Sequence, residues 1–407
     1  MSSPPQQACE PAETVAARSP APRRVLICHA GAELYGADYV LLQLCAHLKR
    51  RGHAPVVVLP FHGPLCEELT RVGVASHIRA MPVLRRKYFT PWGIFIYGGL
   101  IVSSLWQVAA IARRERIDLY HTNTAGVWTG GLLARLQGRR HIWQVMELVE
   151  KPRIVALIMS KAVGLLATRV FCISDAVRSH FVHFNSGRAH RFATLYHGVD
   201  TAIFAPSRAN GPAIRAALGI PPSAIVILYA SRFSAWKGQD VFARAAGLLS
   251  ADTTKAADVH FVMLGSCFAG QEHHEEELRT TLATFPSLAG KIHLPGFQKN
   301  LPDWLAAADV FVLPSKNPEP NATVLIAAMV MGLPCIGTNI GGTVETIVDG
   351  ETGRLIAPND PEALSLAMRE LVADGQRRRD WGAAGRRRAH QLFSLQNYCQ
   401  TVEASYG

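Results

Sequence analysis

Along this chain, short apolar runs alternate with stretches whose apolar residues recur every three or four positions. VLICHA (25–30), VVVLP (56–60), IDLYHTNT (117–124), HIWQVMEL (141–148) and RVFCIS (169–174) mark the first half. IVILYA (225–230), VHFVMLG (259–265), KIHLPG (291–296), DVFVLPS (309–315) and PCIGT (334–338) mark the second. Continuous apolar runs rich in Val and Ile predict strands buried on both faces of a parallel sheet. Between them the pattern turns helical: Asp38 to Arg51 places Val40, Leu41, Leu44 and Leu48 on one face. Strand–helix alternation predicts βαβ units, and it occurs as two series.

The expected fold class is therefore α/β, with two Rossmann-like domains facing each other across a cleft. The domains are placed at 23–205 and 206–385. They join near VDTAIFAPSRANGP (199–212), rich in Pro, Gly and small polar residues. Residues 386–407 read as an Arg-rich C-terminal helix. Residues 1–22 are Pro- and Ala-rich, lack the basic-then-apolar profile of a signal peptide, and read as a disordered tail.

Composition narrows the class. Of 407 residues, 49% are hydrophobic and 18% charged, which excludes a collagen, a coiled coil or a mostly disordered chain. The eight cysteines form no C-x-x-C pair, and Cys28, Cys172 and Cys335 lie inside strand-like runs. That is the usage of a reducing compartment, so a cytoplasmic location is expected. The net charge of +11 is uneven. Residues 23–205 hold 23 Lys and Arg against 10 Asp and Glu, whereas 206–376 hold 12 against 17. A basic first half suits phosphate-bearing molecules or anionic lipid, or serves solubility alone. No nucleic-acid recognition motif is present.

WGIFIYGGLIVSSLWQVAAIA (92–112) carries no charge and is flanked by Arg85, Arg86 and Lys87 before it and Arg113, Arg114 and Arg116 after it. Its length suffices for a bilayer span. Basic flanks on both sides, Ser103, Ser104 and Gln107 within it, and a domain strand immediately after it argue against spanning. A helix that faces a membrane surface, with peripheral contact on the inner face of a membrane, or one that is buried or lines a groove, is expected instead.

In open α/β sheets, ligands sit beyond the carboxyl ends of the strands, so the loops after the strands are the place to look. After the first strand, Gly31 to Asp38 (GAELYGAD) opens a helix, with Gly31, Tyr35 and Gly36 as candidate cleft residues. Its glycines admit a ligand to backbone amides, or the segment is a tight turn with Asp38 as a cap. His121 and Asn123 end IDLYHTNT and are expected to face the cleft, or to brace a turn.

In SRFSAWKGQD (231–240), Arg232 and Lys237 lie five apart after a buried strand, a spacing suited to a diphosphate without a metal. LPSKNPEPNAT (313–323) sets Glu319 between two prolines at a strand-to-helix turn, where a carboxylate can accept from a sugar hydroxyl or complement the helix dipole. Gly341 and Gly342 precede another helix and suit phosphate or hydroxyl contact through backbone amides. His273 and His274 lie among glutamates and read as a solvated acidic helix face, not a metal site.

SRFSAWKGQD, LPSKNPEP and AAMVMGLPCIGTNIGGTVETIVDGETGRLI closely resemble glycosyltransferase family 4, of the GT-B fold. GAELYGADYVLLQLC, DLYHTNT, VFCISDAV and LYHGVDTAIFAP are similar to the same family. The resemblance covers nearly all of the chain from residue 24. It implies a retaining transferase that takes a sugar from a nucleotide-diphosphate donor and needs no metal or cofactor. The acceptor would be a glycan or a lipid-linked sugar in polysaccharide or glycolipid biosynthesis, and the C-terminal helices would cross back to the first domain.

The resemblance implies further that Arg232 and Lys237 hold the donor diphosphate and that Glu319 contacts the donor sugar, these three forming the catalytic group. Asn321, Ala322, Thr323, Gly341 and Gly342 would complete the donor site. Two positions depart from the family pattern. Ala327 stands where a second glutamate usually binds the ribose, and Gln144 and Met146 stand where some members have a cleft histidine. A catalytically silent binding relative, or a nucleotide-sugar epimerase of related fold, is the alternative.

Overall fold

The computed structural model describes residues 21–34, 36–84, 88–149, 152–251 and 257–407. The expected tail and Tyr35 lie outside the described residues, apart from residues 21 and 22. Two wholly parallel sheets form the molecule. In chain order the strands of the first are β1 (Arg24–Cys28), β2 (Ala54–Leu59), β3 (Ala75–Ile78), β4 (Leu119–Thr122), β5 (Arg140–Val145), β6 (Arg169–Cys172) and β7 (Phe192–Thr194). Those of the second are β8 (Ile225–Ala230), β9 (Val259–Leu264), β10 (Ile292–Gly296), β11 (Val310–Leu313), β12 (Cys335–Thr338) and β13 (Gly353–Ile356). The orders are β3-β2-β1-β4-β5-β6-β7 and β10-β9-β8-β11-β12-β13.

The predicted strands all form; β1, β2, β5, β8 and β11 have nearly every residue inside, whereas β10, at a sheet edge, has no buried residue. The strands β3 (ASHI) and β7 (FAT) carry no apolar run, and the sequence pattern does not reveal them. Both are edge strands. The strand order reverses between β1 and β4 and again between β8 and β11. At such switch points the crevice beyond the carboxyl ends lies open for a ligand.

The C-terminal segment returns to the first domain, as expected. The helix Gly375–Leu392 packs on the second sheet's domain, and the chain then breaks at Phe393 and Ser394. The final helix, Leu395–Ala404, docks on the helix Gly36–Arg50. Its Tyr398 and Val402, with Tyr406 just beyond it, are buried in the first domain's core. Where the two crossings meet, Val199 N donates to Phe393 O (2.9 Å) and Leu395 N donates to Val199 O (3.3 Å). A Cβ on Gly198 would lie 2.2 Å from Leu395 Cα, so only glycine lets the two strands of the connection touch.

Candidate active site

Between the two domains lies a cavity of about 850 Å³. From the first domain it is lined by Glu33, Leu34, Gly36, Ala37, Met146, Ile173 and His197, which follow β1, β5, β6 and β7. From the second, the loops after β8 and β11 contribute Arg232, Lys237, Glu319, Asn321, Ala322 and Thr323. Residues from two distant loops, 82 positions apart at Lys237 and Glu319, thus converge where the switch points predict.

Glu319 is the most constrained of them. Its side chain is buried, and Oε1 accepts from Lys237 Nζ (2.6 Å) and Ser315 Oγ (2.6 Å). Its Oε2 makes no bond among the described residues. Pro318 and Pro320 flank it, and its carbonyl accepts from Gly342 N (2.6 Å). A Cβ on Gly341, where φ is +59°, would stand 2.6 Å from Glu319 O, and one on Gly342 would stand 2.2 Å from Pro320 O. The two glycines are therefore required for close approach of the Glu319 loop. They do not line the cavity. This corrects the expected phosphate contact through Gly342: its amide is engaged by the Glu319 carbonyl.

Lys237 is placed by a similar device. Gly238, at φ +66°, runs so close to Pro314 that a Cβ would meet Pro314 O at 1.9 Å. Arg232 is exposed, has no carboxylate partner among the described residues, and lays its guanidinium 4.1 Å from the centre of the Phe268 ring. An Arg held flat on an aromatic ring keeps its N–H edge free for an anion. Asn321 Oδ1 and Nδ2 are buried and have no hydrogen-bond partner among the described residues. The helix Thr323–Val330 points its N-terminus at the same cavity without a side-chain cap, leaving amides and the positive end of its dipole for an anionic ligand. Ala327 is packed in the second domain's core and supplies no polar atom there.

On the first-domain side, Gly36 lines the cavity, and a Cβ there would be 3.1 Å from Thr323 Oγ1 of the other domain. Gly31 does not line it; a Cβ there would collide with Asp38 Oδ1 (2.8 Å), which is itself 2.6 Å from His29 Nε2. Three expected cleft residues are withdrawn from the cavity. His121 is buried, its Nδ1 2.8 Å from Tyr406 Oη. Asn123 is buried against His29 Nδ1 (3.2 Å). Gln144 is buried: Nε2 donates to His197 Nε2 (2.9 Å), and Oε1 accepts from Tyr398 Oη (2.6 Å). For His121 and Gln144 the reason is the returning C-terminal segment, whose Tyr406 and Tyr398 claim their polar atoms; Asn123 is held instead by His29.

His197 is the cleft residue that sequence reasoning missed, although LYHGVD had been noticed as family-like. Since its Nε2 accepts from Gln144, its proton sits on Nδ1. Burial lowers its pKa to about 4, so the ring is neutral near pH 7. Phe297 and Gln298, after β10, also line the cavity, and the run KIHLPG ended one residue short of them.

The domains are tied beside this cavity by Glu345. Its carboxylate accepts from Asp175 N (2.6 Å), Ala176 N (2.8 Å) and Tyr196 Oη (3.0 Å), all in the first domain. Asp175 and Ala176 begin the helix Asp175–His183, so the carboxylate caps that helix from the opposite domain. Burial raises the Glu345 pKa, against the lowering effect of these donors.

This geometry, two Rossmann-like domains with a cavity between their strand ends lined by Arg232, Lys237 and an uncapped helix N-terminus, defines a class of two-domain α/β proteins. The family described as Glycosyl transferases group 1 matches residues 211–388, and Glycosyltransferase Family 4 matches residues 35–203. Between them the two matches take in most of both sheets: the chain belongs to the family 4, group 1 glycosyltransferases.

A D-inositol 3-phosphate glycosyltransferase of Catenulispora acidiphila is 30% identical over 218 residues, 53% of this chain and 50% of that protein. One from Paenarthrobacter aurescens is 32% identical over 191 residues, 46% of this chain and 44% of that protein. The chain thus spans about half the length of the curated relatives it matches. Among solved structures, Anabaena HepE in complex with UDP superposes with a TM-score of 0.80 at 20% identity, covering 94% of this chain and 99% of that one. WaaG, a glycosyltransferase involved in lipopolysaccharide biosynthesis, gives 0.66 at 16% identity, covering 93% and 99%. Both show the same fold, GT-B.

Proposed function

We propose that the protein transfers a sugar from a nucleotide-diphosphate donor to a glycan or lipid-linked acceptor, with retention at the anomeric carbon. The observation that carries this reading is the convergence of Arg232, Lys237 and Glu319 on one interdomain cavity. Its volume of about 850 Å³ lies in the range of roughly 300–1,000 Å³ that suits a ligand of nucleotide-sugar size. Two cations and an uncapped helix N-terminus match the donor diphosphate. Glu319 and the unpartnered Asn321 amide match sugar hydroxyls.

In the reaction, the bond from the sugar's anomeric carbon to the diphosphate oxygen breaks, and a bond to the acceptor hydroxyl oxygen forms on the same face. The acceptor's proton leaves with the diphosphate. Negative charge grows on the departing diphosphate, where Arg232 and Lys237 stand ready. Groups fixed in advance at the place where charge develops stabilise the transition state more than the ground state. His197, neutral and with its ring held by Gln144, lines the acceptor-side wall and offers a hydrogen bond rather than a charge.

The loss of a ribose carboxylate at Ala327 removes a hydrogen bond worth on the order of 1–3 kcal/mol, which weakens a donor complex without abolishing it. HepE has been solved with UDP-glucose, which makes that compound the first donor to test here. Calorimetric titration with UDP, ADP and GDP tests the reading: one of them should bind, and binding should weaken in the double variant Arg232→Ala/Lys237→Ala. Unchanged binding in that variant would remove the diphosphate assignment.

A further inference from the structure

The first domain carries an apolar face that none of the described residues covers. The helices Pro91–Arg114, Thr129–Leu136 and Arg153–Leu166 pack side by side on one face of the first sheet. The longest is fixed to the domain along one stripe: Gly93, Tyr97, Ser104, Val108, Ile111 and Ala112 are buried, and Ser104 Oγ lies 2.8 Å from Thr129 Oγ1. Its other face is open and apolar. Trp92 is 71% exposed, Phe95 74% and Trp106 75%, with Ile94 and Val102 between them more than half exposed. The neighbouring helices extend the same surface, with Leu136 74% exposed and Ile154 and Leu165 also more than half exposed. Isolated exposed apolar residues are ordinary, but a run across three adjacent helices marks an interaction surface.

Charge identifies the partner. The three helices contain no Asp or Glu, and their five basic residues, Arg113, Arg114, Arg135, Arg153 and Lys161, are all exposed. Arg114 pairs with Glu115 just past its helix (3.0 Å), which leaves Arg113, Arg135, Arg153 and Lys161 as the exposed cations of a face whose helices carry no acid, a combination complementary to an anionic lipid surface. We propose that this three-helix face lies flat on an anionic membrane and inserts Trp92, Phe95 and Trp106 to the depth of the lipid headgroups. The buried stripe and the Ser104–Thr129 contact hold the helix to its domain, so it lies on the bilayer and does not cross it.

Topology places the site within reach. In a parallel α/β unit each helix starts at the carboxyl edge of the sheet. The ends bearing Trp92 and Ile154 are therefore on the cavity side of the domain, and the segment before Arg153 begins at Met146, which lines the cavity. The face deepens the functional reading above by presenting the cavity to an acceptor whose lipid stays in the membrane. It rests on that reading only for the acceptor; surface binding stands apart from it.

The test is co-sedimentation of the full chain with phosphatidylcholine vesicles with and without phosphatidylglycerol, at low and physiological salt, beside quenching of tryptophan fluorescence by brominated lipid. Binding is expected to need the anionic lipid, to weaken with salt, and to quench Trp fluorescence. Trp92→Ser/Phe95→Ser/Trp106→Ser should bind about tenfold less while nucleoside-diphosphate binding stays unchanged. Arg135→Gln/Arg153→Gln/Lys161→Gln should bind less and lose the salt dependence. No binding at low salt, or equal binding to neutral vesicles, would overturn the proposal, as would resistance of the native protein to carbonate extraction, which marks a span. Loss of nucleotide binding with vesicle binding intact would remove the catalytic reading and leave this one standing.

Discussion

Lys237 Nζ lies 2.6 Å from Glu319 Oε1, so one ion pair joins the loop after β8 to the loop after β11. Both side chains line the cavity, and the glutamate's Oε2 is left for a ligand. The pair explains how a carboxylate can stay in a largely buried position: Lys237 compensates its charge. On the proposed function, an entering diphosphate gives the lysine a second anionic partner and frees Glu319 to meet the sugar.

Glu319→Gln should therefore lower turnover by about 10–100-fold while changing the affinity for the sugar-free nucleoside diphosphate by less than about threefold. Steady-state kinetics and calorimetry on the same preparation check this. Equal losses in both would mean that Glu319 only shapes its loop.

The chain Tyr398–Gln144–His197 links the returning C-terminal segment to the cavity wall. Gln144→Leu removes the donor that fixes His197 Nε2, and the imidazole is then free to change tautomer. The expected result is a several-fold loss of turnover, with the ¹⁵N shifts of His197 moving away from those of an Nδ1–H ring. A purely structural role would lower the melting temperature and leave the tautomer unchanged.

Three buried histidines make stability fall in acid. Burial lowers His121 and His197 to about 4 and His141 to about 3, all below the usual value of about 6.5. In each case the unfolded chain binds the proton more tightly, so stability is fully present above about pH 6.5 and is lost as pH falls toward those lowered values. Each contributes a slope of at most about 1.4 kcal/mol per pH unit in that window. Urea midpoints should drop steeply from pH 6.5 to 4.5, and His141→Asn should flatten the profile. A profile level across that window would contradict the burial of these rings.

Glu345 is the interdomain tie whose loss should be seen in shape. Glu345→Ala removes acceptors for two amides and a tyrosine hydroxyl of the first domain. Small-angle X-ray scattering should then show a larger radius of gyration than for the native chain, with helix content by circular dichroism unchanged. An unchanged radius would mean that the crossing at Val199 and Leu395 alone sets the domain arrangement.

Strands and helices driven by burial were legible because continuous apolar runs have few other places to go. The edge strands β3 and β7 were not, since pairing rather than hydrophobicity makes them. In the site, Arg232, Lys237 and Glu319 were legible as charged residues directly after buried strands, and they lie together. The rule of strand ends points to His121 and Asn123 as cleft residues, and the family resemblance to Gln144. His121 and Gln144 are instead engaged by Tyr406 and Tyr398, more than 250 positions away, and Asn123 by His29. Local sequence carries no trace of those contacts. The Gly341–Gly342 pair reads in the sequence as a phosphate or hydroxyl contact through backbone amides; in the structure the two glycines admit the Glu319 loop, whose carbonyl takes the Gly342 amide.

The central claim is sugar transfer from a nucleotide-diphosphate donor, and the most direct measurement is NMR of the purified protein with UDP-glucose and the corresponding ADP and GDP sugars, with a glycolipid acceptor in anionic vesicles. The account predicts release of the nucleoside diphosphate from one donor, with the new glycosidic bond keeping the donor's anomeric configuration, and loss of release in Arg232→Ala/Lys237→Ala. A sugar that changes configuration while still attached to its nucleotide would contradict it in favour of an epimerase, and binding without release from any donor would contradict it in favour of a silent binding protein.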